Sequence, residues 1–175
     1  MDPFARLSLE PTFDVDPRRL RAAWLRVAAT THPDAIGTVD SASLANDAYR
    51  ALSDPIERAH ALLRLHGQDH VLVDEVLRRA LPDGFLLEMM EYRERADALD
   101  ASDVVGRSEL LAEAQSLRGA SLAKISELFA RFGDQAPMPD ACREAAAAIV
   151  RELNVVRSFD RMIEQVERER GEPAT

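Results

Sequence analysis

Apolar positions along this chain recur at three- and four-residue spacing over long stretches, the rhythm of helices that bury one face. The longest case lies near the end. There Ala141, Ala145, Ala148, Ile149, Leu153, Val156, Phe159, Met162, Ile163 and Val166 form one stripe over some 45 Å at about 1.5 Å per residue, and two partners must cover it. Punctuation marks the ends of the other elements. Asp16-Pro17 and Asp54-Pro55 each supply an N-cap oxygen followed by a ring whose fixed φ suits the first helical position. The first pair predicts a helix from 17 to about 31. The second, with Glu57 at the N3 position of a capping box, predicts one from 55 to about 65, closed by Gly67. Between them lie the turn His32-Pro33-Asp34 and a helix over about 41–52, and a short turn precedes the set. Three longer helices follow, over about 83–101, 107–131 and 139–169, parted by Ala101-Ser102-Asp103 and by Gly133-Asp134-Gln135-Ala136-Pro137. Short connections imply antiparallel neighbours. The expected fold is all-α: a helical hairpin with flanking helices over residues 1–70, a linker over 71–82, and an antiparallel three-helix bundle over 83–175.

Composition agrees with that pattern. Of 175 residues, 46% are apolar and only 5% aromatic, enough to bury a core and more suited to helix than to sheet. Cys142 is the single cysteine, which excludes an internal disulfide and a cysteine-rich zinc or iron–sulfur site held by this chain. It points to a reducing, cytoplasmic setting. The formal charge of −9 argues against nucleic acid as a partner, because phosphate binding needs clustered cations. That charge is unevenly spread. Residues 1–66 hold eight arginines against nine acids, whereas 67–175 hold 14 basic residues against 22 acids. No apolar run approaches the roughly 20 residues that span a bilayer, and Met1-Asp2-Pro3-Phe4 lacks the charged start of a leader, so a membrane is not expected as a partner and the start is expected to be unprocessed.

Catalysis would have to draw on His60, His66, His70, Asp69 and Cys142. His66 and His70 are four apart but straddle Gly67, so the same-face spacing of a metal pair is broken. No base stands beside Cys142. No catalytic residue, metal site or cofactor is therefore expected, and the chain is not expected to be an enzyme.

One helix carries a distinct chemistry. On a wheel of about 100° per residue, Leu20, Ala23, Trp24, Val27 and Thr31 fall on one side, and Arg18, Arg19, Arg21 and Arg26 on the other. No acid lies between Pro17 and Pro33, so an acidic protein keeps a local positive face there. Leu25 sits among the arginines, where a partner contact fits better than a core role. A solvated helix face needs charges in any case, so the arginines alone decide nothing. The triplet that follows sharpens the matter. Pro33 pushes His32 out of the helical region, which presents the imidazole and the Asp34 carboxylate at the tip of a hairpin.

With these residues in place the chain resembles the J-domain co-chaperones, whose signature is His-Pro-Asp between two hairpin helices. Phe4-Ala5-Arg6-Leu7, Phe13-Asp14-Val15-Asp16, the segment Asn46 to Leu52, Leu62-Leu63-Arg64-Leu65-His66-Gly67 and the segment Phe85 to Glu94 narrow the resemblance to the HscB type, over essentially residues 3–170. The resemblance implies an N-terminal J-domain that engages a DnaK- or HscA-type chaperone and stimulates its ATPase. The residues it assigns to that contact are His32, Pro33 and Asp34, with Arg18, Arg19, Arg21, Leu25 and Arg26. It also implies that the C-terminal helices bind an IscU-type iron–sulfur scaffold protein, through Leu86, Leu87 and Met90 on one helix and Val155, which stands where the family carries an aromatic residue, on the last. Apolar residues at such spacing are more often core, and the resemblance is what favours an interface.

The chain departs from the family at Ala35-Ile36, at Val27-Ala28-Ala29, in a shortened segment between Asp34 and Asn46, and at Asn154-Val155. These departures keep a second function class open: a divergent helical interaction protein that retains the J fold without stimulating a chaperone. The sequence is equally compatible with weak self-association.

Overall fold

The computed structural model describes residues 2–30, 38–100, 102–134 and 139–171, and the described residues contain helices and no strand. A short helix, α1 (Pro3–Leu7), starts on Asp2, whose carboxylate accepts the Phe4 N–H at 2.8 Å, and stops at Ser8 in the left-handed region. It sends Phe4 and Leu7 wholly into the core. Helix α2 (Pro17–Thr30) opens where Asp16 accepts the Arg18 N–H at 2.9 Å. Helix α3 (Thr38–Ser53) begins a few residues earlier than its pattern predicts. The two form the expected hairpin, pinned by the Trp24 indole N–H donating to Asn46 at 2.8 Å and by the Trp24 and Tyr49 rings, 5.3 Å apart.

Asp54 caps α4 (Pro55–Leu65) through the N–H groups of Ile56 and Glu57. Gly67, at φ +68°, ends it: the Gln68 N–H reaches back to the Leu63 carbonyl and the Gly67 N–H to that of Arg64, closing the helix on a left-handed residue. The stretch that follows, expected as a linker, is built structure. It holds a single helical turn, α5 (His70–Val73), and a 3₁₀ turn over Leu77–Arg79 that starts where Asp74 accepts two backbone N–H groups. Elements this short carry no readable periodicity.

Helix α6 (Phe85–Asp97) is shorter than predicted, opening after Gly84 at φ +82° and ending at Ala98. Helices α7 (Val104–Asp134) and α8 (Pro139–Gly171) are correspondingly long and pair along their length. Asp103 caps α7 by accepting the Gly106 N–H at 2.8 Å. Across the pair, Arg118 donates to Asp160, and Lys124 lies 3.6 Å from Glu152.

Helices α7 and α8 act as a spine for two cores. At one end, Ile125 and Phe129 of α7 and Ile149, Leu153 and Val156 of α8 meet Phe4, Leu7, Leu52, Leu62 and Leu63 from the N-terminal helices. Phe13 stacks on Phe129 at 5.6 Å, and the Arg58 guanidinium also covers the Phe13 ring, 5.2 Å from its centre. At the other end, Phe85 and Tyr92 of α6 meet Leu110 and Ala114 of α7 and Val155 and Phe159 of α8. The bundle is therefore three-helical only over the length of α6. Each wholly buried Leu, Ile or Val in these cores contributes about 1.5–3 kcal/mol relative to exposure, which is why the long apolar stripe of α8 needs covering on two sides.

Candidate interaction surfaces

Helix α2 buries Leu20 and Ala23 and turns Arg18, Arg19, Arg21 and Arg26 to solvent. None of these four pairs with a described acid. Arg18 and Arg19 stand in the first turn, which has no acid and where the helix dipole disfavours cations by about 0.3–1 kcal/mol each. Leu25 is 49% exposed among them, as its place on the wheel predicts. The face thus combines uncompensated positive charge with one apolar contact. His32, Pro33 and Asp34 lie outside the described residues.

Helix α6 divides its sides more sharply. Phe85, Met89, Tyr92 and Ala96 recur at heptad spacing and fill the second core. The Phe85 and Phe159 rings meet edge to face at 5.7 Å. The Tyr92 hydroxyl donates to the Leu110 carbonyl at 2.6 Å, and burial, with Glu113 nearby, pushes the phenol up to about 12. Arg95 grips Glu113 of α7 with both terminal nitrogens and holds that carboxyl below its usual range. This fixes the rotation of α6 about its axis. As a result Leu86, Leu87 and Met90 are 66%, 61% and 61% exposed, all on the side away from the core. Beside them a groove of about 490 Å³ runs between α6 and α8, with Leu81, Met89 and Met162 among its lining.

Val155 does not join them. It is 4% exposed and packed in the second core, because that part of α8 faces α6 and α7 at once and only the polar edge of its wheel reaches water. It offers no surface to a partner, and the apolar face is that of α6 alone.

No family model matches the chain. Relatives match over nearly its whole length. A co-chaperone protein HscB homolog of Burkholderia pseudomallei is 35% identical over 176 residues, covering 94% of each chain. One of Ralstonia nicotianae is 31% identical over 169 residues, covering 91% of this chain and 94% of the relative. The chain belongs to the HscB family of co-chaperones. Solved structures agree on the fold. Chaperone HscB from Vibrio cholerae superposes with a TM-score of 0.71 at 22% identity over 96% of both chains. The human co-chaperone HscB gives 0.75 at 20% identity, over 98% of this chain and 83% of its own. The all-helical architecture is that of the HscB fold, a J-domain with a helical bundle.

Within that HscB fold, three residues that the sequence does not single out as a group join the N-terminal helices to α8. Asn154, 8% exposed, donates from its amide to the carbonyls of Leu77 and Ala80 at 2.9 and 2.8 Å, clamping the 3₁₀ turn onto α8. Arg157 spans from the Asn154 side-chain oxygen, at 3.1 Å, to Nε2 of His60 on α4, at 3.0 Å. Nδ1 of His60 faces Glu57 at 3.5 Å. Burial is the main cause that holds this imidazole below its ordinary 6.5, opposed by Glu57 and reinforced by Arg157 and Arg64. A neutral ring is what accepts from a guanidinium. His66, the last residue of the α4 cap, rests its ring on Phe132 at 5.0 Å. Cys142 is half-buried, and no group of three His, Cys, Asp or Glu able to hold a metal occurs among the described residues. No described helix is long and apolar enough to cross a membrane.

Proposed function

We propose that this protein is a cytoplasmic, non-enzymatic adaptor of iron–sulfur cluster assembly that joins two partners. Residues 1–70 act as the J-domain. The arginine face of α2, Leu25 and the His32-Pro33-Asp34 turn engage an ATP-bound DnaK- or HscA-type chaperone and stimulate its hydrolysis. Asp34 offers a carboxylate to an arginine of the chaperone, a charge-assisted bond with directional specificity. The arginines of α2 steer the encounter onto an acidic surface, which makes the association rate fall with salt.

Residues 83–175 carry the other partner, an IscU-type scaffold, on Leu86, Leu87 and Met90 of α6, and residues 71–82 join the two units. The observation that carries this reading is the exposure of those three side chains on a helix whose opposite side is committed to a core. An apolar cluster in water is ordinary singly and informative when contiguous. Met90 adds a flexible thioether that adapts to a partner's shape. Family membership supports the same division of labour. Delivery of the scaffold to the chaperone then promotes release of its cluster, with no bond made or broken by this chain.

The test is single-turnover ATP hydrolysis by a DnaK- or HscA-type chaperone in the presence of wild-type protein or His32→Gln. The proposal expects stimulation by the first and loss of it in the second. Equal rates for the two would remove the co-chaperone reading and favour an interaction protein that keeps the fold alone.

A further inference from the structure

A second groove, of about 660 Å³, opens where α4, the 3₁₀ turn and α8 meet. Its charge is out of keeping with a protein of net −9. Arg78, Arg79, Arg157 and Arg161 all line it. Arg78 and Arg79 share one carboxylate, Glu75, at 3.0 and 3.9 Å. Arg157 is held by neutral acceptors, Asn154 and His60, and Arg161 by the Arg157 carbonyl and the Ser158 hydroxyl. No described carboxylate pairs with either. Asp160 is the one acid in the lining, and Arg118 already occupies it. Ile56 and Leu81 supply an apolar floor. This groove is continuous with the one beside α6: Leu81, Ser158 and Arg161 line both.

We infer that this arginine groove takes a carboxylate-bearing segment of the same partner that docks on α6. The inference rests on the scaffold reading above and extends its footprint around α8 to the junction with the N-terminal helices. Charge complementarity names the chemistry: four guanidiniums, of which Arg78 and Arg79 share the one Glu75 carboxylate and Arg157 and Arg161 pair with no described carboxylate, above an apolar floor, suit Asp or Glu side chains with their methylene stems. Continuity of the two grooves names the source, since a protein seated on Leu86 and Met90 needs only to extend past Leu81 to reach Arg161. With the groove filled, the partner touches α6, the 3₁₀ turn and α8 together.

The experiment is calorimetric titration of an IscU-type scaffold into wild type, Arg79→Glu/Arg161→Glu and Leu86→Ser/Met90→Ser, at low and high salt, with a thermal melt of each variant. Arg157 is left alone because it braces His60 and Asn154. The inference expects the arginine variant to melt like wild type, to lose about 10-fold or more in affinity at low salt, and to show a flatter salt dependence. The leucine–methionine variant should lose affinity while keeping the wild-type salt dependence. If the arginine variant melts early, Arg161→Gln alone is used and should give the same change in smaller measure. Wild-type affinity and salt dependence in a folded arginine variant would overturn the inference while leaving the α6 surface standing. No binding by wild type would remove the scaffold reading and the inference with it. A wild-type dimer that the arginine variant dissolves would also overturn it, by making a second copy of this acidic chain the occupant.

Discussion

Helices α2 and α6 each bury one side and turn the other to water, and the chemistry they turn outward is opposite. Helix α2 shows arginines; helix α6 shows two leucines and a methionine. Exposed charge is the normal condition of a surface helix and means little by itself. Exposed apolar clusters are uncommon on monomers, so the same degree of exposure says more on α6 than on α2. The two faces also differ in how they would work. A charged face acts at a distance and sets association rates, whereas an apolar face acts on contact and sets lifetimes.

Substitutions on the two sides of α6 should separate core from surface most strongly. Phe85→Ala, which removes a ring packed against Phe159, is expected to lower stability by about 3–5 kcal/mol in urea unfolding. Leu86→Ser, one residue on, should stay within about 0.5 kcal/mol of wild type. Comparable losses would mean that α6 is rotated relative to this account. Next in size, Leu86→Ser/Met90→Ser should weaken scaffold binding by about 30-fold or more, the range of truncated central anchors, and leave chaperone stimulation intact.

On α2, Arg19→Glu/Arg26→Glu should slow association with the chaperone by about 10-fold at low salt, with the difference closing as salt rises. Stopped-flow traces at several ionic strengths measure this. An equal slowing at all salt concentrations would place these arginines in a close contact, like the α6 face, and erase the contrast.

The smallest expected effect concerns the junction between the two regions. His60 and His66 are both held below 6.5 by burial. Well above pH 6.5 each ring is neutral whether the chain is folded or unfolded, so their contribution to stability is intact. As pH falls, the unfolded chain takes up protons first, and stability is lost through the lowered folded values. Urea midpoints should drop between pH 7.5 and 5.5, and His60→Gln should shrink that drop. An unchanged slope in the variant would show that the contact with Arg157 does not depend on a neutral ring.

The chemistry of helix starts and stops made much of this fold legible in the sequence. Asp16-Pro17, Asp54-Pro55 and Gly67 act locally, within one turn, and local signals survive folding. The exposed face of α2 was legible for a related reason: that helix has one buried seam, so a wheel separates its sides, whereas on α6 the family resemblance and not the wheel singled out Leu86, Leu87 and Met90. Val155 was not, because α8 packs on α6 and α7 at one end and on the N-terminal helices at the other, and a helix covered from two directions has no single inside. The bond between Arg157 and His60 joins residues 97 apart, and the Asn154 clamp reaches back 77. No periodicity or spacing announces contacts of that kind. They are what turns the expected linker into structure and makes the arginine groove.

The central claim is that one chain carries two partners on separate faces. Its most direct test is retention of an IscU-type scaffold on immobilised, ATP-bound chaperone with this protein as the only bridge. The account predicts retention with wild type, and loss with Leu86→Ser/Met90→Ser and with His32→Gln. In the first variant the protein stays on the chaperone and the scaffold washes off; in the second both wash off. Scaffold retained equally with either variant, or retained without the protein, would contradict it.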